Sequence, residues 1–113
     1  MLEVVKNAVN EYQIQKPALF GDLTKTVASV GVGAGCIANL ERFMEMGCDM
    51  AIVCDDGIGY WCDLAFALDC GFPVIRVSHA ASEEAGIQAL AKWISARYGI
   101  ETAYRREKAS PQR

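Results

Sequence analysis

The chain has 113 residues, of which 52% are hydrophobic and 22% are charged, and its formal net charge is −3. This length and composition suit one domain with one hydrophobic core and exclude a largely disordered segment. The net negative charge excludes the basic surface typical of nucleic-acid binders. No apolar run approaches the ~20 residues that span a bilayer, and the N-terminus does not read as a signal peptide, so we expect a cytoplasmic protein.

The five cysteines are expected to be free thiols, because their number is odd and no Cys-x-x-Cys pair occurs. These residues are Cys36, Cys48, Cys54, Cys62 and Cys70. The pattern argues against a disulfide framework and against a thiolate zinc knuckle, and burial of the thiols in the core is the simplest interpretation.

Apolar periodicity divides the chain into alternating helices and strands. It predicts an amphipathic helix over residues 2–13, an irregular connection around residues 17–22, and then three strands at 26–30, 50–54 and 73–77. A helix follows each strand, and the three helices end near Gly47, Gly71 and Gly99. Ser82 is the predicted N-cap of the last helix, with Glu83 and Glu84 in its first turn.

The order α-β-α-β-α-β-α predicts a small three-layer α/β domain with a parallel sheet. We expect residues 1–104 to form this single domain, with the N-terminal helix and connection over 1–24 and the core over 25–99, and residues 105–113 to form a flexible tail. Phe66 and Trp93 lie off the main apolar faces of their helices. We therefore expect a second copy of the chain to complete the sheet or the helix layer; alternatively, both aromatics cover the edge of the monomer's own core.

The carboxyl ends of parallel strands are where open α/β sheets bind ligands, and a glycine-rich loop is predicted there. Gly31, Gly33 and Gly35 fall between a predicted strand and a predicted helix, where backbone N–H groups can bind a phosphate or nucleotide. The spacing misses the dinucleotide fingerprint, whose third glycine would fall at Cys36. The alternative is a tight structural turn.

The same edge is predicted to carry His79 and Glu83, an imidazole and a carboxylate four residues apart. This pair is a common donor set for a divalent metal ion, although Glu83 could instead be a partner of the helix dipole. Asp55 and Asp56 could add oxygens or hold the imidazole from behind; alternatively, they form a solvated Asp-Gly turn. A pairing of Cys54 with His79 across neighbouring strand ends is also conceivable.

Three segments over residues 25–98 resemble the C-terminal part of the NIF-three-like family, the NGG-interacting-factor-three proteins often described as GTP cyclohydrolase I type 2 homologs. Residues 27–35 resemble its strand and glycine loop, and residues 47–53 resemble its step of Gly-x-Asp followed by an apolar strand. Residues 78–83 resemble its signature Gly-His-x-x-[Ser/Thr]-Glu.

The resemblance implies a two-metal site on an α/β scaffold in ring-like homo-oligomers, with His79 and Glu83 matching the family's C-terminal ligands. The family's other ligands, histidines and an aspartate, lie in an N-terminal half, whereas His79 is the only histidine here. Where the family tends to have Thr-Gly-Asp and then Tyr-His, this sequence has Cys54-Asp55-Asp56 and Tyr60-Trp61.

Three functional hypotheses follow. The first is a metal-dependent hydrolase of nucleotides or phosphoesters that binds a divalent ion through His79 and Glu83, completed by an oligomer. The second is a non-enzymatic binding or assembly module with a degenerate metal site. The third is a metal-free nucleotide-binding module that uses the Gly31–Gly35 loop.

Overall fold

A computed structural model describes residues 17–58 and 60–105, together with Glu3 and Asn7. The helix predicted over residues 2–13 falls outside the described residues except for Glu3 and Asn7, which are both helical. Residues 106–113 of the predicted tail also fall outside them.

The described part of the chain forms a four-stranded open sheet in the order β1-β4-β3-β2. Its strands are β1 (Ala18–Phe20), β2 (Val30–Gly33), β3 (Met50–Cys54) and β4 (Val74–Val77). Strands β2, β3 and β4 are parallel to one another, whereas β1 pairs antiparallel with β4. The predicted α/β class is confirmed, with one antiparallel edge strand added to the parallel sheet.

Three helices connect and follow the parallel strands: α1 (Leu40–Glu45), α2 (Trp61–Asp69) and α3 (His79–Tyr98). Two short 3-10 turns, Gly35–Ile37 and Asp55–Ile58, follow β2 and β3. The helices end near Gly47, Gly71 and Gly99 as predicted, and each of these glycines has a positive φ. Among the described helices, none combines the length and the apolar character needed to cross a bilayer.

Two predicted features of the sheet were wrong. Strand β1 lies where the sequence predicts an irregular connection, because three residues between Pro17 and Gly21 are too few to show a strand pattern. Strand β2 begins at the last residue of the predicted strand 26–30 and includes Gly31 and Gly33, which were predicted to lie in a loop. Glycine density suggested a turn there, but the backbone stays extended.

Close packing of α1 explains why β2 contains glycines. A Cβ atom on Gly31 would lie 2.5 Å from Cγ of Phe43, and one on Gly33 would overlap Ala38 and lie 2.9 Å from its Cα. Both glycines are buried. The missing side chains therefore let α1 and the segment before it lie directly on the strand.

The sheet carries a hydrophobic cluster on each face, because successive strand side chains point to opposite sides. On β3, Ala51 and Val53 join the cluster covered by α1 and α2, while Met50 joins the second cluster. The start of α3 reaches the second cluster through Ala81. The clusters are listed by their buried members: Leu40, Ala51, Val53, Ala67, Phe72 and Val74 on one face, and Met50, Ile75 and Val77 on the other.

The outer part of α3 differs from its prediction. Its expected buried face contained Ile87, Leu90, Ala91, Ile94 and Tyr98, yet no described residue of α3 is classed as buried. Ile87, Leu90 and Tyr98 are all at least half exposed. The apolar spacing indicated a helix correctly, but the described part of the chain supplies no surface that covers this stretch.

Asp49 fixes the start of β2 against the start of β3. Its Oδ2 accepts hydrogen bonds from the backbone N–H groups of Ala28 and Ser29, both at 2.9 Å, and from the Ser29 hydroxyl at 3.1 Å. These bonds favour the carboxylate and lower the pKa of Asp49, with the Ala28 N–H as the largest cause. The Gly-x-Asp step of the sequence therefore has a structural role in setting the β2–β3 pairing.

We predict opposite effects for the same glycine-to-alanine change at two positions. Gly33→Ala should destabilise the fold by about 1–3 kcal/mol, because the added methyl overlaps Ala38. Gly86→Ala should stabilise it by about 0.5–1 kcal/mol, because Gly86 lies in helix α3 with open space around it. Denaturant unfolding followed by circular dichroism measures both. A Gly33→Ala variant as stable as the wild type would contradict the packing argument.

Candidate metal centre

The register between β3 and β4 brings two chain segments together at the carboxyl edge of the sheet. Cys54, the last residue of β3, lies opposite Val77, the last residue of β4. Because the strands are parallel, the Asp55–Ile58 turn and the start of α3 leave the sheet side by side. Residues far apart in sequence thus become neighbours at one edge, as the sequence predicted from topology.

Helix α3 begins earlier than predicted. The Ser78 hydroxyl, not that of Ser82, is the N-cap and accepts a hydrogen bond from the Ala81 N–H at 3.3 Å. His79 is consequently the first helical residue, and Glu83 lies one turn later rather than in the first turn. A separation of four residues places the two side chains on the same helix face.

His79 lies between two carboxylates. Its Nδ1 is 2.5 Å from Oδ2 of Asp56, and its Nε2 is 3.2 Å from Oε1 of Glu83. All three side chains are about half exposed, at 43% for His79, 50% for Asp56 and 48% for Glu83. The imidazole is therefore fixed from both sides while solvent still reaches the site.

The carboxylates raise the pKa of His79. The hydrogen bond from Asp56 is the largest cause; partial desolvation opposes it, and the negative charge of Glu83 adds to it. A raised pKa means that the imidazolium form persists to higher pH than in an isolated histidine. A metal ion that binds this imidazole must displace the proton, so its affinity will fall as the pH falls.

Cys54 adds a sulfur atom to the same edge. Potential ligand atoms of Cys54, Asp55 and His79 all lie within 4.8 Å of one another. Cys54 is fully buried, as the sequence suggested, and its Sγ donates a hydrogen bond to the carbonyl of Gly35 at 3.0 Å. The conceivable Cys54–His79 approach is thus present in the structure, and the position of Cys54 at the end of β3 was the signal for it.

Gly35 leaves the space into which Glu83 and His79 project. A Cβ at this position would lie 2.8 Å from Oε1 of Glu83 and 3.8 Å from Nε2 of His79, and its φ of +62° also disfavours any residue with a side chain. The Gly35 N–H donates to the Ser82 hydroxyl at 3.3 Å, and that hydroxyl donates to the His79 carbonyl at 2.7 Å. Sequence reasoning missed this role of Ser82.

The imidazole, carboxylates and thiol are a donor set that fits a divalent metal ion. Their convergence on a space that any Cβ at position 35 would fill supports the same fit. Of the three glycines predicted to contact an anion, Gly31 and Gly33 lie inside β2, and Gly35 borders the metal-type donors. Anion binding by these glycines stays a prediction, as do the predicted second-shell roles of Asp55 and Asp56.

A separate open cavity lies along α3 and contains none of these residues. Its volume is about 450 Å³, and its lining comprises Gln88, Ala91, Lys92, Thr102 and Tyr104. The Thr102 hydroxyl donates to the Ala91 carbonyl at 3.1 Å, and the Tyr104 hydroxyl donates to Glu84 at 2.6 Å. These bonds tie the segment after α3 back against the helix, so the cavity is explained by chain packing.

Comparison with known proteins gives a family match and a structural match. A family model described as Duf34/NIF3 (NGG1p interacting factor 3) matches residues 1–111. No curated protein matches the chain significantly. The crystal structure of a Bacillus cereus protein related to NIF3 matches with a TM-score of 0.72 at 14% identity, covering 97% of this chain and 31% of its own.

Two crystal structures of a Staphylococcus aureus protein also match, each with a TM-score of 0.58 and 16% identity. They cover 78% of this chain and 30% and 29% of their own lengths. The chain therefore spans under a third of the length of these solved relatives. At these identities the likeness shows a shared fold.

The pKa of His79 should fall when Asp56 is neutralised. In chelator-treated protein, Asp56→Asn removes the largest cause of the increase, so the pKa should move down towards the 6.5 of an unperturbed histidine. Because His79 is the only histidine, its imidazole proton signal in a one-dimensional NMR titration needs no assignment. Asp55→Asn is the matched control and should give the smaller shift. An unchanged titration in Asp56→Asn would contradict the assigned contact.

Proposed function

The chain belongs to the Duf34/NIF3 family, and from this premise we propose that it binds a divalent metal ion at the carboxyl edge of its sheet. His79 and Glu83 are the central ligands in this proposal. The observation that carries it is the convergence of His79 Nε2 and Glu83 Oε1, 3.2 Å apart, on the space beside Gly35.

Each neighbouring residue has a defined part in this proposal. Asp56 holds the Nδ1 side of the His79 ring at 2.5 Å, which leaves Nε2 to bind the ion and increases the basicity of the ligand. Asp55 supplies a further oxygen from the turn after β3, within reach of His79. Ser82 and Gly35 keep the loop after β2 against α3, so the space between the donors stays open.

The proposed reaction class is hydrolysis of a nucleotide or phosphoester. When bound, a divalent ion supplies Lewis-acid activation of water and of a phosphoryl oxygen. This chain's residues orient the ligands and keep one side of the site open to solvent, since His79, Asp56 and Glu83 are only about half buried. That exposure would give a phosphorylated substrate direct access.

Self-association is the second part of the proposal. Ile87, Leu90 and Trp93 are spaced three residues apart on α3 and are 54%, 50% and 56% exposed, an apolar stripe that a monomer rarely leaves open to water. We assign this stripe to contact with a second copy of the chain. Association would also help to supply the donors that a single chain lacks, since catalytic sites usually have three protein ligands.

The free cysteines favour a reducing compartment. All five are unpaired in the structure, and disulfides are rare in the cytosol because thiols are kept reduced there. We therefore assign the chain to the cytoplasm.

We expect the wild-type chain to bind divalent metal stoichiometrically and His79→Ala or Glu83→Gln to lose it. Elemental analysis and calorimetric titration of protein purified without an affinity tag measure both. Glu84→Gln is the matched control, because that carboxylate accepts a hydrogen bond from Tyr104 and should leave binding unchanged. Asp56→Asn should weaken binding by about 10–100-fold as an outer-shell change.

Equal metal content in the wild type and in His79→Ala would contradict the proposed site. If metal binds as expected, hydrolysis of nucleotide and phosphoester substrates should be lost in the same variants. Binding without any such hydrolysis would favour the assembly-module hypothesis over the hydrolase.

A charge placed in the α3 stripe should reduce self-association. Leu90→Lys puts a charge at the centre of the stripe, so the mass measured by light scattering after size exclusion should fall towards that of a monomer. Ala89→Lys, at the adjacent exposed position of the same helix, is the control and should keep the wild-type mass. A monomeric wild-type chain at all accessible concentrations would refute the assignment.

A further inference from the structure

We propose that Cys54 is a sulfur ligand of the metal site and that it makes the site selective for thiophilic ions such as zinc and cobalt over magnesium. This inference rests on the proposed metal-binding function and names the residue that decides which ion is held. It concerns a cysteine that the sequence analysis assigned to the core.

The first argument is distance. The ligand atoms of Cys54, Asp55 and His79 lie within 4.8 Å of one another. With zinc–sulfur and zinc–nitrogen bonds of about 2.3 and 2.0 Å, two donors on one tetrahedral ion are roughly 3.5 Å apart. Asp55 is exposed and His79 only partly buried, so modest side-chain rotations can close the remaining difference around the fixed sulfur.

The second argument is where the sulfur lies. Cys54 is fully buried at the last position of β3, beside the parallel end of β4. Its Sγ is 3.0 Å from the carbonyl oxygen of Gly35, the residue whose missing side chain leaves room for Glu83 and His79. The thiol is therefore on the inner wall of the site, whereas Asp55, His79 and Glu83 form its solvent side.

The third argument is chemical. On ligation, the Cys54 thiol loses its proton to solvent, the hydrogen bond to the Gly35 carbonyl is broken, and a metal–sulfur bond forms in its place. The resulting thiolate is a soft donor, and soft donors favour zinc and cobalt over the hard ions magnesium and calcium. A site made only of His79, Asp55 and Glu83 would lack that preference.

A purely structural role for Cys54 predicts something different. In that case the thiol only joins the end of β3 to the loop at Gly35 through its hydrogen bond. Cys54→Ser would then leave the type of ligand around the ion unchanged, because serine can donate the same bond. A spectroscopic signature of the metal–sulfur bond separates the two roles.

The test is cobalt(II) titration of the chelator-treated full chain, followed by absorption in the near ultraviolet. Wild-type protein should show a sulfur-to-cobalt charge-transfer band, and Cys54→Ser should lose the band. Cys54→Ser should also reduce the preference for zinc over magnesium at least 10-fold in competition titrations. Cys36→Ser and Cys62→Ser are matched controls with exposed thiols near the site in sequence, and both should keep the band.

Cobalt binding by the wild type without the band, or an unchanged band in Cys54→Ser, overturns the inference while leaving the His79–Glu83 proposal intact. Absence of cobalt and zinc binding by the wild type overturns both. X-ray absorption of the zinc-loaded wild type needs no folded variant. A sulfur neighbour at about 2.3 Å supports the inference, and a shell of nitrogen and oxygen alone overturns it.

Discussion

The parallel pairing of β3 with β4 is the constraint on which the rest of the structure depends. Because Cys54 lies opposite Val77, the residues that follow the two strands emerge at the same height, and Asp56 reaches the ring of His79 although 23 residues separate them. A shift of the pairing by one residue would turn the side chains of β4 to the opposite face of the sheet. The core and the site are therefore set by the same register.

Close approach of backbone to helix is the second organising feature. Gly31 and Gly33 let the segment around Ala38 and Phe43 rest on β2, and Gly35 lets Glu83 and His79 approach the loop after that strand. The result is a sheet edge where one loop, one turn and one helix end are all in contact. A glycine run that suggests an anion-binding loop in the sequence thus serves packing at two positions and shapes the site at the third.

Competition between a proton and a metal ion follows from the position of His79 between Asp56 and Glu83. The hydrogen bond to Asp56 raises the pKa of the imidazole, and the same bond makes the ring a more basic ligand once its proton has left. Asp56 therefore strengthens metal binding above the pKa of His79 and opposes it below. The half-exposed carboxylates and the buried thiol of Cys54 give the edge one hydrated side and one dry side.

The sequence by itself determined the alternation of strands and helices, the central strands β3 and β4, the glycines at the helix ends, and the meeting of His79 with Glu83. Each of these follows from local periodicity, from a cap, or from a four-residue spacing on one helix. Only the tertiary structure decided that β1 is an edge strand, that the glycines of β2 are extended, that Ser78 caps α3, and that Cys54 and Asp56 reach His79. These features depend on contacts between segments 20 or more residues apart or on the fit of one backbone against another, and neither leaves a periodic signal in the chain.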